Sequence, residues 1–288
     1  MTAPSEAAPA TNAEQANFWN GDMARRWLAH ETEMETLARE PTAALVDAIG
    51  ACPGMRLLEV GCGSGGLAIQ LAQAVGPEGR VTALDISVPL LDRARERAKG
   101  LANIDFRLAD AQVAPLPEAA FDLILSNFGI MFFEDPVAAF SNLRRSLRPG
   151  GKLVFACFGS PARNQWFALP RAAAVARLGA PPVPPPGAPG PMAFADNAHV
   201  TSLLRTAGYR DCAAEARMLD WVHPGGPEAA ARLATDLGPA AFVIRDRAGS
   251  AADRDAIRAD IGRAFAPYAD AGGVRLPVEV LLYRAANP

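Results

Sequence analysis

The chain predicts a doubly wound α/β fold, with a mostly parallel sheet covered by helices on both faces. Three observations predict it. Apolar runs alternate with helical repeats between residues 55 and 158. Successive runs end on polar positions, at Glu59, Asp85, Asp110 and Asn127. The first run, Leu57-Leu58-Glu59-Val60, passes straight into Gly61-Cys62-Gly63-Ser64-Gly65-Gly66 and then into a helical repeat of Leu67, Leu71 and Val75. That order describes a buried strand, a glycine bend and a helix opening on the bend.

In chain order, residues 1–12 are small, polar and proline-containing, and read as a disordered tail. Residues 13–50 read as a helical segment, with Trp19 and Trp27 early and Leu45, Val46 and Ile49 on a later apolar face. The core is expected over 51–158, opened by the Pro53-Gly54 turn. Its first strand spans 55–60 and its second 80–85. Ser87 can cap the next helix, which presents Leu90, Leu91, Ala94 and Ala98 and can end at Gly100. A third strand over 104–109 and a fourth over 121–126 follow. Asp135-Pro136 then starts a helix with Val137, Phe140, Leu143 and Leu147 on one side. Pro149-Gly150-Gly151 stops it before a fifth strand over 152–158. Right-handed crossovers bring the C-terminal ends of these strands to one edge, where ligands bind.

Residues 159–288 read as a substrate cap plus the last strands, over 215–222 and 278–283, for seven strands in all. The proline-rich stretch 180–191 reads as a loop near the site, 198–210 as a helix ending at Gly208, and 227–270 as alanine-rich helices.

Composition narrows the function. Half of the 288 residues are hydrophobic, enough for a sizeable core. A net charge of −3 offers no basic field for a phosphate backbone, so no nucleic-acid partner is expected. Cys52, Cys62, Cys157 and Cys212 are scattered, so no metal site is expected, and the thiols read as those of a cytoplasmic protein. Neither a signal peptide nor a membrane span is visible.

The candidate site follows from the strand ends. Gly61, Gly63 and Gly66 satisfy the dinucleotide-binding pattern G-x-G-x-x-G. Glu59, two residues before it, would repel a pyrophosphate. It would instead accept from an ammonium group or from loop amides. Asp85, about twenty residues after the bend, can grip a ribose diol or cap a helix. Asp110 can accept from an adenine amino group beside the Ala111 N–H, or serve as an ordinary loop acid. Asn127 stands at the pocket mouth or caps a turn. His30 is the candidate base; like His199 and His223, which could also serve, it reads by default as a structural histidine. Trp19, Trp27 and Trp166 either close the substrate pocket or pack the core. Cys157 reads as a packed thiol.

The segments Glu-Val-Gly-Cys-Gly-Ser-Gly, Leu-Asp-Ile-Ser, Ala-Asp-Ala, Phe-Asp-Leu-Ile-Leu-Ser-Asn and Leu-Arg-Pro-Gly-Gly-Lys-Leu occur in that order across residues 50–160. The set resembles class I S-adenosylmethionine-dependent methyltransferases, which have a Rossmann-like core. It is most similar to the ubiquinone/menaquinone C-methyltransferase-like branch. The Gln-Ala-Asn-Phe-Trp-Asn and Asn164-Gln165-Trp166 segments resemble that branch more loosely. The resemblance implies that S-adenosyl-L-methionine is the cofactor. It implies that Gly61, Gly63 and Gly65 line the methionine part, that Asp85 holds the ribose with Ile86 against the adenine, and that Asp110-Ala111 reads the adenine edge. Glu59, Cys62 and Asn127 complete the expected cofactor-binding set. Where amino-methylating nucleic-acid enzymes carry Asn-Pro-Pro-Tyr, this chain has Ser126-Asn127-Phe128-Gly129.

The function expected is in-line methyl transfer to O, C, N or S of a small apolar or aromatic molecule. The alternatives are an NAD(P)-dependent oxidoreductase and a non-catalytic cofactor-binding relative. The acceptor, the use of a base and the oligomeric state stay open.

Overall fold

A computed structural model describes residues 12–185 and 187–288. Four helices come first: α1 (Ala13–Asn20), α2 (Asp22–Ala29), α3 (Glu31–Leu37) and α4 (Arg39–Ile49). The core continues as β1 (Arg56–Val60), α5 (Gly66–Val75), β2 (Arg80–Asp85), α6 (Val88–Arg97), β3 (Ile104–Leu108), β4 (Phe121–Asn127), α7 (Pro136–Ser146) and β5 (Leu147–Phe158). Then come α8 (Gln165–Leu178), α9 (Asn197–Thr206), β6 (Arg210–His223), α10 (Pro227–Asp236), α11 (Pro239–Asp246), α12 (Ala251–Phe265), β7 (Ala269–Asp270) and β8 (Gly273–Ala286).

The sheet runs β3-β2-β1-β4-β5-β8-β6. Strands β1 to β5 pair in parallel, and β8 pairs antiparallel to both β5 and β6. The seven expected strands are therefore present. The two-residue β7, paired to β8, makes the sheet eight-stranded. The parallel strands are buried on both faces, so they read as near-continuous apolar runs: Leu57, Leu58, Leu123, Ile124, Leu153 and Phe155 are almost fully covered.

Local signals work as expected at two helix starts. Ser87 Oγ accepts from Leu90 N, and Asp135 Oδ1 accepts from Ala138 N at 2.9 Å. The last two long strands are longer than expected. Their ladder continues from Arg210↔Ala286 to His223↔Val274. The extensions carry exposed polar residues, a bulge beside Asp211 (φ 53°) and Pro277 inside β8. Each of these hides the strand signal in sequence.

Helix α9 packs on α7 and β6, as part of the sheet's flank. The helical cover is built by α8 with α10, α11 and α12. The expected tail also needs correction at its inner end. Residues 1–11 lie outside the described residues, but Asn12 is buried. Its Nδ2 donates to Asp110 Oδ1 at 2.9 Å, and its Oδ1 accepts from Glu134 N at 2.7 Å.

Strand order reverses between β1 and β4, and there the two backbones nearly touch. A Cβ on Gly61 would lie 2.8 Å from Gly129 Cα, and a Cβ on Gly129 would lie 2.9 Å from the Val60 carbonyl oxygen. Gly61 also has φ 70°. By contrast, a Cβ on Gly63 (φ 54°) would meet nothing within 4 Å. Gly63→Ala should therefore cost about 1 kcal/mol, from backbone strain alone. Gly61→Ala should cost roughly 3 kcal/mol, from strain plus the clash. Equilibrium urea unfolding of the two variants checks the order, and equal losses would refute it.

Candidate functional site

The C-terminal ends of β1 to β4 and helices α1 to α4 line a cavity of about 1170 Å³, to which residues of α8, α11 and the proline-rich loop also contribute. The glycine bend is fixed from behind. Gly61 N and Cys62 N donate to the Leu84 carbonyl at 2.9 and 3.0 Å. Gly63 N donates to Asp85 Oδ2 at 2.7 Å, and Ser87 N donates to Asp85 Oδ1 at 2.9 Å. Asp85 thus fastens the bend to the end of β2, and the residue also lines the cavity.

Helix α1 is tied to the same corner. Ser87 Oγ donates to the Trp19 carbonyl at 2.6 Å. Asn20 Nδ2 donates to the Ile86 carbonyl at 2.8 Å, and Asn20 Oδ1 accepts from Val88 N at 2.9 Å. Helix α3 is held by Arg97, whose Nη1 donates to Glu35 Oε1 at 2.6 Å, Glu31 Oε1 at 3.0 Å and Ser64 Oγ at 3.2 Å. Gly66 makes room for this arrangement, since a Cβ there would lie 2.6 Å from Glu35 Oε1.

Glu59 is the electrostatic anomaly. It is 1% exposed and lines the cavity, and its side chain makes no hydrogen bond among the described residues; its Oε2 is buried without a partner. The loop-amide role considered from sequence is therefore not the one it plays. Burial, and secondly the charge of Asp85, push its carboxyl up to about 8. Burial also raises Asp85, against the backbone N–H groups of Ser87, Gly63 and Ile86 that favour its charge. Cys62 is held well above an ordinary thiol by burial and by the charges of Asp85 and Glu59, so it is no thiolate nucleophile.

The remaining candidates divide. Ile86, Asp110, Ala111, Asn127, Trp19 and Trp27 all reach the cavity wall. Asp110 Oδ1 is already engaged by Asn12 Nδ2 and by Gln112 N, each at 2.9 Å. Asn127 Nδ2 donates to Thr42 Oγ1 at 3.0 Å and leaves its buried Oδ1 unpartnered. The turn-capping role falls to Ser126 instead, whose Oγ donates to the Val60 carbonyl at 2.7 Å and accepts from Gly129 N at 3.2 Å. Trp166 borders the cavity but is chiefly core, 2% exposed and stacked on Phe265 at 5.9 Å.

His30 is a correction: it does not line the cavity. Its Nδ1 lies 2.6 Å from Glu33 Oε2 and its Nε2 3.3 Å from Asp236 Oδ2, so both ring nitrogens serve the contact between α3 and α10. His199 is an exposed residue in the first turn of α9, and His223 is buried beside Gly225.

Sequence reasoning missed Asn12, Asn20 and Arg97, for which no local pattern exists. It also missed Phe128, although the neighbouring Gly129 marked a tight turn. Phe128 has φ 62° and stacks on Phe158 with centroids 4.3 Å apart.

Residues 58–155 match the family described as "Methyltransferase domain". The chain is 37% identical over 122 residues to the ubiquinone/menaquinone biosynthesis C-methyltransferase UbiE of Shewanella piezotolerans, covering 41% of this chain and 49% of that protein. It is 34% identical over 113 residues to the aklanonic acid methyltransferase DauC of a Streptomyces species, covering 38% and 51%. The match thus spans about half the length of these curated relatives. Among solved structures, a SAM-dependent methyltransferase from Aquifex aeolicus superposes with a TM-score of 0.53 at 16% identity, over 93% of this chain and 99% of that one. At that identity the likeness shows the fold.

The raised Glu59 fixes the sign of a pH effect. The folded chain keeps the Glu59 proton up to about 8, whereas an ordinary glutamate releases it near 4.5. Within that window the folded state binds more protons, so stability falls as pH rises, approaching about 1.4 kcal/mol per pH unit. Above it, the loss is complete. Chemical denaturation across the window should show Glu59→Gln with a flatter profile, leaving the decline due to Asp85. A variant profile parallel to the parent would contradict the assignment.

Proposed function

We propose that this chain, whose residues 58–155 belong to the methyltransferase-domain family, transfers a methyl group from S-adenosylmethionine to a small molecule. One observation carries the reading: a buried, unpartnered carboxylate, Glu59, at the edge of a glycine bend with open space beside Gly63. The donor set fits a ligand bearing an ammonium group. It fits a dinucleotide poorly, because a pyrophosphate at this bend would meet Glu59 and Asp85 together.

In this reading Glu59 accepts from the ammonium, whose charge keeps the carboxyl ionised. Gly61, Gly63 and Gly65 let the backbone approach the methionine part. Asp85 accepts from the ribose hydroxyls with the acceptor capacity left after its two loop bonds. Ile86 packs on the adenine, and Asp110 with the Ala111 N–H reads its edge. The bound sulfonium supplies an already activated methyl carbon. The chain then has to hold the acceptor in line and keep water away. The walls suit that task, with Trp19, Trp27, Phe128, Phe132 and Phe158 on the cavity surface.

No histidine lines the cavity among the described residues, so no imidazole base is assigned. An apolar or aromatic acceptor fits these walls. The four free cysteines support a cytoplasmic setting, and the net charge of −3 supports a small molecule over a nucleic acid. Among the described residues, no helix is long and apolar enough to cross a membrane.

Calorimetry tests the reading directly. S-adenosylhomocysteine should bind and NADH should not. Glu59→Gln should weaken S-adenosylhomocysteine about tenfold or more, from loss of a charge-assisted bond. Methylthioadenosine, which lacks the amino-acid part, should bind parent and variant alike. An equal loss for both ligands would remove Glu59 from the ammonium, and binding of NADH alone would reverse the whole reading.

A further inference from the structure

The cavity wall carries charge of both signs. Glu59, Asp85 and Asp110 lie at strand ends, while Glu31 and Glu35 are paired with Arg97. Helices α4, α8 and α11 bring Arg39, Arg171 and Arg245 to the same wall. Among the described residues none of these three has a carboxylate partner. Elsewhere on α8, Arg177 is paired with Asp253 at 2.7 Å. Arg245 is held by rings alone, its Cζ 5.7 Å from the Phe18 centroid and 5.6 Å from that of Phe242. Exposed arginines on helices are usually just solvated, and these three are exposed. What sets them apart is the wall they share with an unfinished polar site.

That site is Trp221, 3% exposed, with its Nε1 buried and unpartnered. It lines the cavity within an aromatic cluster. Phe158 lies 5.3 Å from it, and Phe158 in turn stacks on Phe128 and meets Phe167 at 4.7 Å. Phe128 takes a left-handed backbone, φ 62°, which is costly for a bulky residue and puts its ring on Phe158. A buried indole N–H without an acceptor is expensive unless a ligand supplies one.

We propose that the acceptor is a planar aromatic molecule bearing a carboxylate. Its ring sits against Phe128, Phe158 and Trp221, an oxygen accepts from Trp221 Nε1, and the carboxylate is held at the rim by Arg171 and Arg245. The carboxylate is a handle that orients the molecule; guanidinium suits it because the planar fork bonds two oxygens at once. Two opposite fields then sort the two substrates, with acids drawing the cationic donor and arginines drawing the anionic acceptor. This inference rests on the donor-site reading above.

The test uses 2-naphthoate and its neutral isostere 2-naphthamide, titrated by calorimetry into the full chain with and without saturating S-adenosylhomocysteine. The naphthoate should bind about tenfold more tightly than the amide. Arg171→Gln and Arg245→Gln should each erode that preference, and together abolish it. Amide and S-adenosylhomocysteine affinities should stay unchanged in both, which shows that the variants are folded. Trp221→Phe should weaken both probes. Equal binding of the two probes, binding of neither, or a preference that survives the double substitution would overturn the proposal. Failure of S-adenosylhomocysteine to bind the parent chain is a separate result against the donor site, and the probes on the unloaded chain still decide the arginine question.

Discussion

The close crossing of two backbones at the reversal of strand order governs this structure. Gly61 leaves β1 and Gly129 follows β4, each where the other would collide with any side chain. Ser126 stitches the crossing together by donating to the Val60 carbonyl and accepting from Gly129 N. With the strands this near, the chain after β4 must turn sharply, and Phe128 adopts its left-handed conformation. The carboxylate of Glu59 is set two residues behind the crossing, almost wholly buried. Cavity floor, strained aromatic and buried acid are thus consequences of one packing contact.

Such a site is poor for stability and good for recognition. A carboxyl raised to about 8 by burial is a group the fold alone would do better without. In the proposed reading its cost is recovered when the ligand's ammonium brings the missing positive charge, because the attraction acts where water cannot screen it. The Arg97 cluster shows the opposite arrangement. There the acids Glu31 and Glu35 are matched inside the protein, and they hold helix α3 against the bend. Acids satisfied internally build the wall, and the unsatisfied one faces the cavity.

Sequence disclosed what is local. The glycine bend, the strand-end acids and the caps at Ser87 and Asp135 each depend on a few neighbouring residues, and each lies where its pattern put it. What stayed hidden joins distant segments. Asn12 reaches Asp110 and Glu134, and Asn20 reaches the chain around Ile86, across separations no pattern registers. His30 misled because its residue type advertises acid–base chemistry, whereas its surroundings make it a clamp between Glu33 and Asp236. The long β6 and β8 were read short because their outer faces are polar and a bulge and a proline interrupt the alternation.

The fastening of α1 has a kinetic consequence. Ser87 and Asn20 tie this helix to the very corner that carries Asp85 and Ile86, while Asn12 reaches across to Asp110. For this helix to swing away from the cavity wall, several bonds spread over two loops must open together. Unlatching of this kind is cooperative, and belongs to the microsecond-to-millisecond range rather than to diffusion. In the proposed reading, the pace at which a spent donor departs then depends on how often these bonds release together.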